Sequence, residues 1–302
     1  MAGAVGARAS AQRAGDTEQA GGTKVPGVLR VSARNARFQQ WQALLGNRGK
    51  RHRAGEFLVH GVRPITLAAQ FGWRFSALIY DAERSLSRWA ADLLDAVDAD
   101  LVPMAPELLA ELGEKTQEIP ELVAVARMPA DDLCRIQVGD DFLGVLLDRP
   151  ASPGNIGSVI RSADAFGANG VIVTGHAADI YDPKAVRAST GSLFALPVVR
   201  SSSYREPAQW LAAERARGRP IAVVGTDERG GLAVFDRDLT GPALLVVGNE
   251  VAGLSRMWRE LCDTMVSIPM AGAASSLNAA SAATTVLYEI ARQRIVSGRS
   301  SG

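Results

Sequence analysis

Residues 244–255 read Leu244-Leu245-Val246-Val247-Gly248-Asn249-Glu250-Val251-Ala252-Gly253-Leu254-Ser255. An unbroken apolar run bounded by turn residues is the pattern of a strand buried on both faces. Its carboxyl end opens into Gly-Asn-Glu, where backbone amides and one carboxylate would face a ligand, the usual binding edge of an open α/β sheet. The glycine spacing does not match GxGxxG, which argues against a dinucleotide fingerprint. Taken alone, the segment is also compatible with an ordinary strand-to-turn exit.

Working outward, short apolar runs alternate with helical patterns through the second half of the chain. Phe142 to Leu147, Gly170 to Thr174, Ile221 to Gly225, Ala243 to Val247 and Thr264 to Ile268 are expected strands. Asn155 to Phe166, Trp210 to Arg217 and Ser276 to Arg294 are expected helices, the last with Leu277, Ala280, Thr284, Leu287 and Ala291 on one face. Such alternation implies a mostly parallel sheet covered on both sides, and periodicity alone would make it an ordinary doubly wound one.

Two further segments carry the same mixture of small, polar and charged residues. Ser152-Pro153-Gly154-Asn155 enters a helix in which Asn155 is a reasonable N-cap, and Arg161 follows six residues on, near the same helix side. A capped helix with a solvated arginine is the bland reading. Ile268-Pro269-Met270-Ala271-Gly272 leads through Ser275, Ser276, Leu277 and Asn278 into the last helix. Small side chains let another backbone or a flat ligand come close, and Asn278 has both a donor and an acceptor to orient one. Tight helix packing through Ala and Ser explains them about equally well.

The 302 residues suggest about two domains. Residues 1–27, poor in large apolar side chains, are expected to form a flexible tail. Residues 28–126 read as a small α/β module. In it Phe38, Trp41, Leu44 and Leu45 recur at helical spacing and lead into a basic loop, Asn47-Arg48-Gly49-Lys50-Arg51-His52-Arg53. Glu56 to Gly61 and Phe75 to Tyr80 are expected strands, with a helix from Arg63 to Phe71 between them. Residues 127–139 are the expected linker, and residues 140–302 the second domain.

The formal charge is only +1, from 33 Lys and Arg against 32 Asp and Glu. At face value that opposes a nucleic-acid partner. The total hides a split: residues 1–75 carry 12 basic and 3 acidic side chains, whereas residues 76–150 carry 6 and 16. A basic amino-terminal end suits phosphate contacts, and the acidic stretch suits a solvated surface. Trp41 and Phe57 could stack on bases, but their apolar spacing favours the core.

Cys134 and Cys262 stand far apart, so neither a disulfide framework nor a CxxC motif is available. His52, His60 and His176 lack metal-ligand spacing, and no metal is expected. No apolar run is long enough to span a bilayer and no secretory leader is visible, so a cytoplasmic protein without membrane contact is expected.

In this order, the three segments resemble the three signature motifs of the SpoU (TrmH-like) RNA ribose 2′-O-methyltransferases of the SPOUT class. The match spans residues 140–295. Lys50-Arg51-His52-Arg53 through Glu56-Phe57-Leu58-Val59-His60-Gly61-Val62-Arg63 resembles that family's substrate-binding domain, with His60 where many members have Glu. The overall layout is most similar to the antibiotic-resistance members that modify 23S rRNA.

The resemblance implies an α/β fold with a carboxyl-terminal trefoil knot and a small ribosomal-protein-like amino-terminal domain. It further implies a homodimer whose sites draw on both subunits, with 23S rRNA as partner and S-adenosylmethionine as cofactor. Carried over, the cofactor residues are Gly225, Thr226, Gly248, Asn249, Glu250, Ile268, Met270, Ser276, Leu277 and Asn278. The catalytic set is Arg161, Asn155, Glu250 and Asn278, and the RNA contacts are Arg48, Lys50, Arg51, Arg53 and Arg63. A ribose 2′-hydroxyl attacking a sulfonium methyl must lose its proton, so a base or an alkoxide stabiliser is needed. The family's arginine has been assigned as the base. A guanidinium gives up its proton too reluctantly to act as one, which favours a charged stabiliser instead. A tRNA-modifying enzyme and a non-catalytic RNA-binding protein of the same fold are the alternatives.

Overall fold

Two sheets organise the chain, which in this computed structural model is described for residues 30–113, 119–228 and 231–298. The tail expected over residues 1–27 lies outside them. In the first sheet, β1 (Glu56–His60), β2 (Phe75–Asp81), β3 (Asp100–Met104) and β4 (Leu122–Arg127) take the order β1-β4-β2-β3. β4 runs antiparallel to both neighbours, while β2 and β3 are parallel.

The first helix, α1 (Ala36–Gly46), starts where the Asn35 side chain accepts the Phe38 N–H, and it buries Phe38, Trp41 and Leu44. Trp41 and Phe57 are thus core residues. The expected basic loop is a helix, α2 (Arg48–Ala54). Asn47 closes α1 and caps α2, its side chain accepting the Lys50 N–H at 3.0 Å, so one asparagine turns the chain without a loop. The helices α3 (Val62–Gln70), α4 (Arg88–Ala96) and α5 (Pro106–Gly113) complete this half.

Strand periodicity places alternate residues on opposite faces, and here both faces are covered. Leu58, Val123 and Val125 join the core under α1 and α5. Phe57, Val59, Ala124 and Ala126 join the core shared with the second sheet.

The second sheet is entirely parallel, in the order β7-β6-β5-β10-β8-β11-β9. Its strands are β5 (Leu143–Asp148), β6 (Gly170–Thr174), β7 (Val198–Ser201), β8 (Ala222–Thr226), β9 (Leu232–Ala233), β10 (Ala243–Val247) and β11 (Thr264–Ser267). The expected strands are present, whereas β7 and β9, of four and two residues, are too short to carry a period. Six helices accompany them: α6 (Pro153–Ala165), α7 (Pro183–Ser189), α8 (Ser192–Ala195), α9 (Arg205–Ala216), α10 (Arg256–Leu261) and α11 (Ala279–Val296).

This order departs from simple double winding. β10 enters between β5 and β8, β11 lies beyond β8, and α11 then returns to α6, where Ser162 and Thr284 share a hydrogen bond of 2.7 Å. The carboxyl-terminal helix therefore packs back against the first helix of this sheet. Gly157 permits the neighbouring contact of α6 with α7, since a Cβ there would lie 2.2 Å from the Ala185 carbonyl oxygen.

An aromatic cluster packs part of the junction of the two sheets. Phe57 packs on Tyr181, with ring centroids 4.6 Å apart, and on Trp73 and Phe194. The Trp73 indole N–H donates to the Phe194 carbonyl at 3.0 Å. Residues 127–139, expected as a linker, are also packed: Arg127 ends β4, and Leu133 and Ile136 enter the core of the second sheet.

Candidate active site

The carboxyl ends of β8, β10 and β11 open into a cavity of about 610 Å³. Its wall begins with the Gly248 turn. A Cβ at Gly248 would lie 2.4 Å from the backbone of Gly253 and Leu254, so only glycine lets the loop fold back this tightly. Asn249 and Gly253 exchange backbone hydrogen bonds of 3.0 and 2.9 Å. The Asn249 side-chain oxygen accepts the N–H groups of Val251 and Ala252, and its amide donates to the Arg149 carbonyl at 2.7 Å. The turn is thus braced from within.

Glu250 joins this loop to the start of α6. Its carboxylate accepts the backbone N–H of Ala151 at 2.9 Å, that of Ser152 at 3.2 Å and the Asn155 side-chain amide at 2.9 Å. Burial alone would raise the Glu250 carboxyl, but the N–H donors of Ala151, Asn155 and Ser152 outweigh it and hold the group below its ordinary value. Asn155 in turn accepts from the Asn278 amide at 3.1 Å. Asn278 is the N-cap of α11, its oxygen accepting from Ala280 and Ser281. Asn278, Asn155 and Glu250, one from each segment singled out in the sequence, therefore form one hydrogen-bonded chain.

The expected cofactor residues divide unevenly around this cavity. Thr226, Gly248, Asn249, Glu250, Ile268, Met270, Ser276 and Leu277 line it, and Gly225 and Asn278 do not. Gly225 serves packing: a Cβ there would lie 2.5 Å from the Met265 sulfur and 2.7 Å from that of Cys262. Burial, reinforced by Asp263, pushes the Cys262 thiol up to about 12, as befits a packed thiol. Leu277 is not on the last helix as expected, because α11 begins only after Asn278. Of the expected face the helix buries Ala280 and Leu287, and Ala283, Val286 and Ile290 join them.

Two expectations for α6 are corrected. The N-cap is Ser152, whose hydroxyl accepts the Asn155 N–H, which frees the Asn155 side chain for Glu250 and Asn278. Arg161 is exposed, lies outside the cavity lining and makes no hydrogen bond or ion pair with any described residue. Six helical residues turn it about 120° away from Asn155, so the two do not share a side.

The basic residues also separate. Arg51, expected to contact RNA, is 2% exposed and donates to Asp179 at 2.8 Å and to the Leu44 and Leu45 carbonyls. A charge so enclosed serves the junction, not RNA. Lys50, Arg53 and Arg63 are exposed, and Arg48 is exposed while donating to the Ala177 carbonyl at 2.7 Å.

Residues not anticipated from sequence complete the walls. Buried Asp148 accepts the Ser255 N–H at 2.6 Å and pairs with Arg149, which donates to the Gly253 carbonyl. Arg149 has a left-handed φ of 56°, rare for a side chain of its size. A charged pair ending the otherwise apolar run 143–147 was its sequence signal. Asp227 and Arg259, an ion pair at the cavity, had none. Among the described residues, no cluster of His, Cys, Asp or Glu is placed to hold a metal ion.

The cavity combines the apolar Val247, Ile268 and Met270 with carboxylates and backbone groups, which suits a small ligand that has both an apolar face and polar groups. Comparisons with known proteins agree. Residues 35–124 match the SpoU L30e-like domain, and residues 143–288 match the SpoU rRNA methylase family. The chain is 65% identical over 278 residues to the 23S rRNA (uridine(2479)-2′-O)-methyltransferase of Streptomyces viridochromogenes, covering 92% of this chain and 96% of that protein. The crystal structure of the SpoU methyltransferase AviRb from S. viridochromogenes, in complex with AdoMet, superposes with a TM-score of 0.84 at 67% identity, over 87% of this chain and 99% of that one. An AdoMet-bound rRNA methyltransferase from Sinorhizobium meliloti gives 0.76 at 28% identity, over 87% and 96%. With both domains matched and near-full-length identity of this order, the chain belongs to the SpoU rRNA methylase family and is an S-adenosylmethionine-dependent RNA 2′-O-ribose methyltransferase.

Proposed function

We propose that the protein methylates the ribose 2′-hydroxyl of a uridine in 23S rRNA, as a cytoplasmic homodimer, and so protects the ribosome against an antibiotic such as avilamycin. The observation that carries this reading is the Asn278–Asn155–Glu250 chain beside the cavity, set in a protein so similar to a named 23S rRNA uridine methyltransferase.

S-adenosylmethionine, when bound, supplies the activated methyl group. Loops 248–253 and 268–277 would hold it, and the chain's own residues do the rest. Glu250 spends its acceptor capacity on Ala151, Ser152 and Asn155, so it braces the site and is not the base. The Arg161 guanidinium stabilises the oxygen as its proton passes to solvent water. Within one chain it lies outside the cavity, and a dimer supplies what is missing by presenting Arg161 to the partner's site. In support, α11 beside α6 leaves Tyr288, Ile295 and Val296 at 56%, 65% and 75% exposed, an apolar strip suited to a second copy. Lys50, Arg53 and Arg63 would position RNA through its phosphates without reading its sequence.

Incubation with labelled S-adenosylmethionine and unmodified 23S rRNA, followed by mapping of ribose methylation, should place the label on one uridine. Label on tRNA alone, or none, overturns the reading. Arg161→Ala should abolish turnover while leaving cofactor affinity unchanged by calorimetry, and loss of both would make Arg161 structural. Mixing Arg161→Ala with a cavity-defective variant should restore activity if sites are shared between subunits.

A further inference from the structure

A second cavity, of about 440 Å³, lies at the carboxyl ends of β6 and β7 and is closed on one side by α2. Because the sheet is parallel, it opens on the same edge as the first cavity. β6 stands two strands and β7 three from β10, the nearest strand of the first cavity, which at ~4.8 Å per strand puts that cavity's near wall roughly 10–15 Å away.

Its lining mixes cations with acceptors: Arg48, His176 and Arg200 with Asp131, Glu206 and Ser202. The two guanidinium groups are held in place before any ligand arrives. Arg48 is anchored on the Ala177 carbonyl. Arg200 is gripped by Asp131, which takes both its side chain and its backbone N–H at 3.0 Å. Behind Arg200 stands His52, in contact with it at 2.9–3.1 Å and with Asp179 at 3.3 Å. Burial and the charges of Arg200 and Arg48 outweigh Asp179 and keep the His52 imidazole below its ordinary value, so it accepts from Arg200 instead of repelling it. Glu206 accepts the Ser201 hydroxyl at 2.7 Å. His176 and Ser202 are exposed and make no hydrogen bond with any described residue.

Fixed guanidinium groups recognise phosphate. A bare phosphate would meet two carboxylates here, whereas a ribonucleotide brings donors for them, its 2′-hydroxyl and base amines. We propose that this junction cavity is a subsite for one nucleotide of the RNA substrate, flanking the methylated one, with Arg48, Arg200 and His176 facing its phosphate and Asp131 and Glu206 accepting from its sugar or base. The inference rests on the RNA methyltransferase reading. Beside Arg48 of α2, it assigns substrate contacts to the methyltransferase domain itself, at His176, Arg200 and Glu206. A nucleotide seated there touches both domains and fixes the RNA register relative to the cofactor cavity.

The test uses the full-length protein and unmodified 23S rRNA transcript, with affinity read by fluorescence anisotropy across a salt series. Arg48→Gln/His176→Gln should weaken binding about tenfold and lower the salt slope by about one per lost phosphate contact, with KM raised and kcat nearly unchanged. Ser202→Glu, which breaks no interdomain hydrogen bond, should weaken binding similarly by adding an anion at the mouth, even if the double variant folds poorly. Cofactor affinity should stay at the wild-type value in both. Wild-type RNA affinity and salt slope in Ser202→Glu overturn the subsite, while failure of the wild-type protein to methylate any RNA overturns the functional reading beneath it.

Discussion

The cofactor cavity and the domain junction are both built from loops at strand ends, yet they treat polar side chains in opposite ways. At the cavity, Asn278, Asn155 and Glu250 satisfy one another along the rim and leave the space inside open. At the junction, Arg51 is taken up by Asp179, Asp182 and two carbonyls, and Phe57 packs on Tyr181 across the same junction. A hydrogen-bonded rim holds a binding site open, and a buried charge with each of its three nitrogens hydrogen-bonded holds two domains together.

Among single substitutions, the difference should show most strongly on removing Arg51. Arg51→Ala leaves Asp179, itself 4% exposed, without its main partner, so stability by urea unfolding should fall by about 3–5 kcal/mol. A loss near zero would mean that the junction is held by its aromatic contacts alone. Removing residues 1–126 altogether should go further, because Phe57, Val59 and Ile65 share a core with Tyr181, Phe194 and Val198. The isolated remainder should expose that surface and aggregate in size-exclusion chromatography.

At the cavity, Gly248→Ala forces the 248–253 turn apart. It should cost about 1–3 kcal/mol by the same measurement, with a larger proportional loss of cofactor affinity in calorimetry. Unchanged affinity would separate the turn from the binding site.

Glu250→Gln should cost at most about 1 kcal/mol, since its exposed carboxylate is screened by solvent. The sign follows from its lowered folded-state pKa: the stabilisation is complete above the ordinary glutamate value and disappears as pH falls through the lowered one. Urea midpoints of wild type and variant should therefore converge in acid and diverge at neutral pH. The smallest effect is expected at exposed Lys50, where Lys50→Gln should leave stability unchanged within ~0.5 kcal/mol and only reduce the salt slope of RNA binding.

Much of this was legible before folding. The expected strands at 170–174 and 243–247 match the observed ones residue for residue, because a fully buried parallel strand is an unbroken apolar run. The three polar segments also stood out, since asparagine, serine and charge at strand exits are costly unless used. The short α7 and α8 were not legible, because seven and four residues cannot display a 3.6-residue period. Nor was the conversion of the basic loop into α2, which depends on a single asparagine capping two ways.

The contrast between Arg51 and Arg161 marks the boundary between the two kinds of information. The sequence by itself determined the α/β alternation, the location of the ligand-binding edge and the basic character of the amino-terminal module. These depend on local periodicity and composition, which neighbouring residues carry. Only the tertiary structure decided that Arg51 is buried, by bringing it against Asp179, 128 residues away, and that Arg161 is left facing outward. A charge goes inside only where distant partners can replace its lost hydration, and no local pattern records which partners the strand order will bring.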